Sequence, residues 1–130
     1  MNSTLRKLDS VYYILGRGLL GSYFLLPGIM KVMQYDGTLS LMQLKGVPFS
    51  DMLLPVTIFL QITLGLFLIV GKVVRVSALL LFGMTLLINL FIHNFWALGG
   101  DPSYAHELQN FIKNLGVAAG LLVLAGRGGN

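Results

Sequence analysis

The stretch Asn89-Leu-Phe-Ile-His93-Asn94-Phe95-Trp96, followed after a polar loop by Gln109-Asn110-Phe111-Ile-Lys113-Asn114, decides how the chain is read. It gathers ionisable groups, amides and aromatics inside a sequence otherwise made of runs of Leu, Ile, Val, Phe and Gly. The apolar runs on either side approach the roughly 20 residues that a helix needs to cross a bilayer. The stretch therefore reads as the outer ends of two membrane helices and the loop joining them, and it is where chemistry is expected.

Outward from it, composition points the same way. Hydrophobic residues make up 55% of the 130 residues and charged residues only 11%. A soluble domain carries about 25% charged residues, so this chain lacks the means to cover a water-exposed surface. The expected class is an all-α integral membrane protein, a four-helix transmembrane bundle forming one domain over residues 1–130, with the lipid bilayer as its first partner. With no cysteine, a disulfide framework, a thiolate metal site and thiol redox chemistry are excluded. The net charge of +4 does not imply nucleic acid, because the basic residues stand singly beside apolar spans, where they set topology.

Helices are expected at about residues 11–30, 52–70, 73–96 and 108–125. Met1 to Ser10, with Arg6, Lys7 and Asp9, resembles the start of a signal peptide. The next run contains Arg17 and no small-residue exit site, so it is read as a retained helix. Lys31 to Asp51 reads as a loop with turn signals at Asp36-Gly37 and Gly46-Val-Pro48, and with a short interfacial helix around Leu39 to Leu44. Gly71-Lys72 makes a tight turn between antiparallel neighbours, and Ala97 to Glu107 reads as a loop. Five Lys and Arg (Arg6, Lys7, Lys72, Arg75, Arg127) fall on one side and two (Lys31, Lys45) on the other. This places both termini in the cytoplasm of a multi-pass cell (inner) membrane protein.

Helical spacing sorts the unusual residues onto stripes. Arg17, Gly21, Gly28 and Lys31 share one; Thr57, Gln61 and Gly65 another. Arg75, Leu79, Phe82, Leu86, Asn89, His93 and Trp96 follow a seven-residue pattern, and Lys113, Gly116 and Gly120 align on the last helix. Small residues permit close approach of membrane helices, so Gly21, Gly28, Gly65, Gly116 and Gly120 are expected at packing contacts, with the polar residues of the same stripes turned inward.

No acidic residue falls within a predicted span, so Arg17 is expected either to snorkel to the interface or to pair with Gln61. Lys31, His93 and Lys113 come from three helices and fall at one depth. With Asn89, Trp96 and Asn114 they are expected to line a cationic, amide-rich pocket suited to an anion or to the carbonyl oxygens of a quinone, Asn89 fixing one nitrogen of His93. Two plainer readings stand beside this. His93 and Trp96 are also what an interfacial belt contains, and Asp101 or Glu107 could neutralise the cations as structural pairs. His93 and His106 alone make no metal site, one intramembrane histidine cannot hold a bis-histidine haem, and a proton-coupled exporter needs a membrane carboxylate. No cofactor is expected to be intrinsic; quinone is the candidate ligand.

Taken in order, Arg17, Gly28-x-x-Lys31, Gly46-x-Pro48, Gly65, Gly71-x-x-x-Arg75, His93-x-Phe95-Trp96 and Phe111-x-Lys113-Asn114 resemble the DoxX family of small bacterial and archaeal membrane proteins. The resemblance runs from about Leu15 to Gly128 and implies four membrane helices. The family takes its name from a subunit of a thiosulfate:quinone oxidoreductase, and other members are linked to membrane oxidoreductase complexes. Gln61 stands where the family commonly has Glu, so a proton-carrying role does not transfer. The expected function is thus a membrane subunit or scaffold of a quinone-associated complex with a soluble or membrane redox partner. Alternatives are an oxidoreductase acting on a small sulfur anion and a small-solute or anion transporter, the last requiring a homo-oligomer.

Overall fold

The computed structural model describes residues 3–97 and 99–127, with side chains from Ser10 onward. Among them the chain is helical: α1 (Ser3–Met33), α2 (Tyr35–Leu44), α3 (Ser50–Val70), α4 (Val74–Phe91), a 3-10 turn (Phe95–Ala97) and α5 (Tyr104–Arg127). Four helices, α1, α3, α4 and α5, are long and apolar enough to span a membrane. Their outer faces carry large exposed apolar side chains such as Leu19, Phe59, Leu87 and Val123. Those faces are what a bilayer covers and water would not.

The bundle is two helix pairs joined side by side. α1 lies antiparallel on α3, and its glycines decide the distance. A methyl group at Gly21 would sit 2.5 Å from the Gly65 carbonyl oxygen, and one at Gly65 would sit 2.8 Å from that of Gly21. Gly28 is likewise tight, with Ile62 Cγ1 at 3.0 Å and Gln61 Cβ at 3.1 Å. α4 packs on α5 as the second pair, and α3 on α4 joins the two, whereas α1 and α5 touch little.

The interior is polarised along the helix axes. Towards the end where α1 begins and α5 ends, the terminal pole, Phe24, Leu64, Leu68, Val74, Ala78, Leu81, Leu121, Leu124 and Ala125 form an apolar core. Towards the opposite end, the loop pole, the buried residues include Gln61, Thr85, Asn89, Glu107 and Asn114. Thr85 satisfies its hydroxyl on the Leu81 carbonyl 2.8 Å away.

Helix ends depart from the sequence expectation where local chemistry overrides the hydrophobic run. Asp36-Gly37 is no turn; it lies inside α2, which begins directly after a single break at Gln34. Gly46 does turn the chain, at φ 76°. The α3–α4 connection is Gly71 to Val73, Gly71 closing α3 at φ 85° with its N–H on the Phe67 carbonyl. Val73 also takes the left-handed conformation, at φ 47°. α4 stops at Phe91 rather than running to Trp96, and Phe95 and Trp96 instead turn edge-on against Phe111 of α5, 5.2 and 5.7 Å between ring centroids. α5 begins at Tyr104, four residues early, because Asp101 Oδ1 accepts from the Ser103 N–H (2.8 Å) and hydroxyl (2.7 Å) and sets up its first turn.

Candidate functional site

The loop pole is built around Glu107, in the first turn of α5 and only 8% exposed. Its Oε2 accepts from Lys45 Nζ at 3.1 Å, and its Oε1 lies 3.3 Å from His93 Nδ1. Lys45 also donates to Asn94 Oδ1 at 3.3 Å, and Asn110 Nδ2 donates to Glu107 Oε1 at 3.4 Å. A carboxylate removed from water is costly unless paired and hydrogen-bonded. Here it is both, at the positive end of a helix dipole. The expectation that no acidic residue enters a span is therefore corrected: Asp51, in the first turn of α3, and Glu107 both do, and Glu107 collects a cation from the α2–α3 connection and the imidazole that follows α4.

The predicted trio divides. Lys31 and His93 line one cleft, together with apolar residues of α1, α2, α3 and α4 that include Met30, Leu53, Leu87 and Phe91. Its volume is about 460 Å³, within the range of sites that hold small organic ligands. Lys113 does not join them; it is exposed on the outside of α5. The inward face of α5 is Glu107, Asn114, Ala118, Leu121 and Ala125, one position away from the expected stripe. Gly116 follows Lys113 to the outside, with no atom within 4 Å of where a side chain would begin, so its assignment to a packing contact is corrected. Gly120 is in ordinary contact with Leu20 at 3.7 Å.

Asn114 is buried and accepts a 2.7 Å hydrogen bond from the Tyr23 hydroxyl of α1. Asn89 is buried too, but it does not fix His93. Its Nδ2 donates to the Phe111 carbonyl at 3.1 Å, and Glu107 is what orients the imidazole. Trp96 is half exposed within the aromatic cluster and outside the cleft. On α4 the buried face is Val74, Ser77, Ala78, Leu81, Thr85 and Asn89. Leu79 and Leu86 of the expected stripe are exposed.

The proposed pair of Arg17 and Gln61 is not formed. Gln61 is buried against Gly28, its Oε1 without a partner. The Arg17 guanidinium lies at Gly71, eleven residues back along α1 from Gly28, about 16 Å at 1.5 Å per residue. There it faces the carboxyl end of α3, where a helix dipole favours a cation. Arg75 serves α5 in the same way, donating from Nε to the Ala125 carbonyl at 3.0 Å.

Sequence reasoning missed Lys45, Asn94 and Tyr23. The signal that was present was the seven-residue spacing from Glu107 to Asn114, continued by small and apolar residues at 118, 121 and 125. Nothing in the sequence linked Lys45 to a carboxylate 62 residues away.

These features define a multi-pass helical membrane protein with a polar loop pole. The chain belongs to the DoxX family, whose model matches residues 13–94. It is similar to the inner membrane protein YqjF of Escherichia coli (strain K12), 34% identical over 121 residues that cover 93% of this chain and 87% of that protein. It is also similar to the inner membrane protein YphA of the same organism, 27% identical over 128 residues that cover 95% and 91% of the two chains. No solved structure matches the chain. With four apolar helices of spanning length, it is a multi-pass inner membrane protein.

Proposed function

We propose that the chain is a membrane subunit that holds a quinone head group in the Lys31–His93 cleft and presents it to a redox partner protein. The single observation carrying this reading is the cleft itself: apolar walls with two nitrogen-bearing side chains, one of them aligned by a buried carboxylate. A quinone is an apolar ring and tail with two carbonyl oxygens. Lys31 Nζ is a donor to one oxygen. His93, with Nδ1 towards Glu107, offers Nε2, which accepts from a quinol hydroxyl when the ring is neutral and donates to a quinone carbonyl when it is protonated. The exposed side chains of Met30, Leu53, Leu87 and Phe91 leave an approach for an isoprenoid tail from the lipid. Electrons would come from the partner's own redox group, so the chain contributes binding and a proton position rather than electron transfer. The terminal pole faces the cytoplasm in this reading, supported by Lys72, Arg75 and Arg127 there against Lys31 and Lys45 at the other end.

A sulfur-anion site would need cations converging in a polar pocket, but Lys45 is held by Glu107 and Lys113 is exposed. The quinone reading is the better supported of the two. Equilibrium dialysis of the detergent-purified protein with a short-chain ubiquinone tests it. His93→Phe and Lys31→Met should each weaken binding about tenfold, the worth of roughly one charge-assisted hydrogen bond, while Lys113→Ala leaves it unchanged. No saturable binding to the wild type, or equal binding by all variants, would overturn the reading.

A further inference from the structure

The terminal pole carries a second concavity that the quinone reading does not use. Because α1 is drawn onto α3 and touches α5 little, a groove of about 580 Å³ opens between α1 and α5. Gly16 and Gly120 line it, and with no side chains at these positions it can reach the helix backbones. Two arginines enter it from opposite sides, Arg17 from α1 and Arg127 from α5. Their guanidinium carbons stand 5.1 and 5.3 Å from the centroid of the same ring, that of Tyr13.

This arrangement is unbalanced. A cation over an aromatic face is favourable, but two guanidinium groups drawn to one ring repel each other. Arg17 Nε is buried and unpartnered. Among the described side chains no carboxylate lies within ion-pair distance of either arginine; both ion pairs found involve Glu107 at the far pole. Arg17 is partly buried with only the carboxyl end of α3 opposite its charge, Arg127 is exposed, and a guanidinium fork matches the oxygens of a carboxylate or a phosphate, of which a bilayer surface supplies the phosphate. The flanks specify what the phosphate is attached to. Val123, which lines the groove, is more than 70% exposed and apolar, a surface for acyl chains, and Tyr12, which also lines it, is exposed as an interfacial aromatic would be.

We propose that Arg17 and Arg127, which both approach the Tyr13 ring, bind the phosphate of an anionic phospholipid from the leaflet at the terminal pole, its acyl chains lying along α1 and α5. Basic pockets between membrane helices commonly take such head groups.

The test is native mass spectrometry of the full chain, delipidated in detergent and titrated with phosphatidylglycerol or phosphatidylcholine. The wild type should hold phosphatidylglycerol at least about fivefold more tightly than phosphatidylcholine, the ratio that one arginine near a charged head group supports. Arg17→Gln and Arg127→Gln should each remove most of that preference, and Lys72→Gln, outside the groove, should not. Inorganic phosphate should fail to displace the lipid. Equal retention of both lipids by the wild type overturns the proposal without recourse to any variant. So does undiminished preference in Arg127→Gln, a change in the last turn of α5 that leaves the core untouched. Displacement by free phosphate at equal affinity would mean an anion site rather than a lipid site, and would overturn it as well.

Discussion

Gly21 and Gly65 meet across the α1–α3 crossing with each carbonyl oxygen in the space where the other's side chain would be. The contact is backbone on backbone, so no rotamer change relieves an added atom. Gly21→Ala and Gly65→Ala should each destabilise the bundle by about 1–3 kcal/mol through overpacking. Gly116→Ala should be neutral or stabilising, because that position is open and alanine is the better helix former. Thermal unfolding in one detergent orders the three variants; equal melting of all three would contradict the crossing geometry.

Glu107 holds Lys45 and His93 together, and both cations or near-cations lose their counter-charge with it. Glu107→Ala should cost on the order of 2–3 kcal/mol, towards the lower end for a breached buried pair because Lys45 and His93 keep some access to water. Lys45→Met combined with Glu107→Ala should cost less than the sum of the two single changes, since removing both partners leaves no unpaired charge between them. The double-mutant cycle, read as unfolding free energies in mixed micelles, checks both signs.

Val73 is a β-branched residue at φ 47° and 45% exposed, so it carries left-handed strain and contributes little burial. Val73→Gly should stabilise the α3–α4 turn by about 1 kcal/mol. A lowered melting temperature would show instead that the valine side chain matters to the turn.

Asp101 sets the first turn of α5. Hydrogen bonds from the Ser103 N–H and hydroxyl hold its carboxyl below the ordinary aspartate value. A depressed carboxyl contributes stability above its unfolded value and loses it as pH falls through the folded one. Amide exchange at Tyr104 to Glu107 should therefore quicken, relative to the rest of α5, on acidification below the ordinary carboxylate range. Asp101→Ala should show the faster exchange already at neutral pH and no further pH step.

The spans were legible because hydropathy alone marks them, and the close-packed glycines of α1 and α3 stood out from larger neighbours. The loop pole was legible only in part. His93 and Trp96 continue the helical spacing of α4, so periodicity gives no sign that the helix stops at Phe91; the stop comes from aromatic contacts with Phe111 on another helix. Aligning Lys113 with Gly116 and Gly120 chose a stripe one position away from the true inner face. Small residues mark packing faces in membrane helices, but they are also tolerated against lipid. Lys45 sat in a segment read as loop, where sequence carries no information about reach, so the cation that meets Glu107 was invisible.

The reliance of α1 on α3 bears on how the chain is made. Mean hydropathy is 1.2 in the best window of α1 and 2.4 in that of α3, and α1 alone would leave Arg17 and a glycine face in hydrocarbon. The surface that accepts them, from Gln61 to Gly71, emerges from the ribosome only after some forty further residues have been added. Stable residence of the first segment in the bilayer is then an event of two helices, with α1 waiting at the insertion machinery or the lipid edge until the second span arrives. Truncated chains released after residue 60 should leave α1 extractable from membranes by alkaline carbonate, and chains released after Lys72 should not.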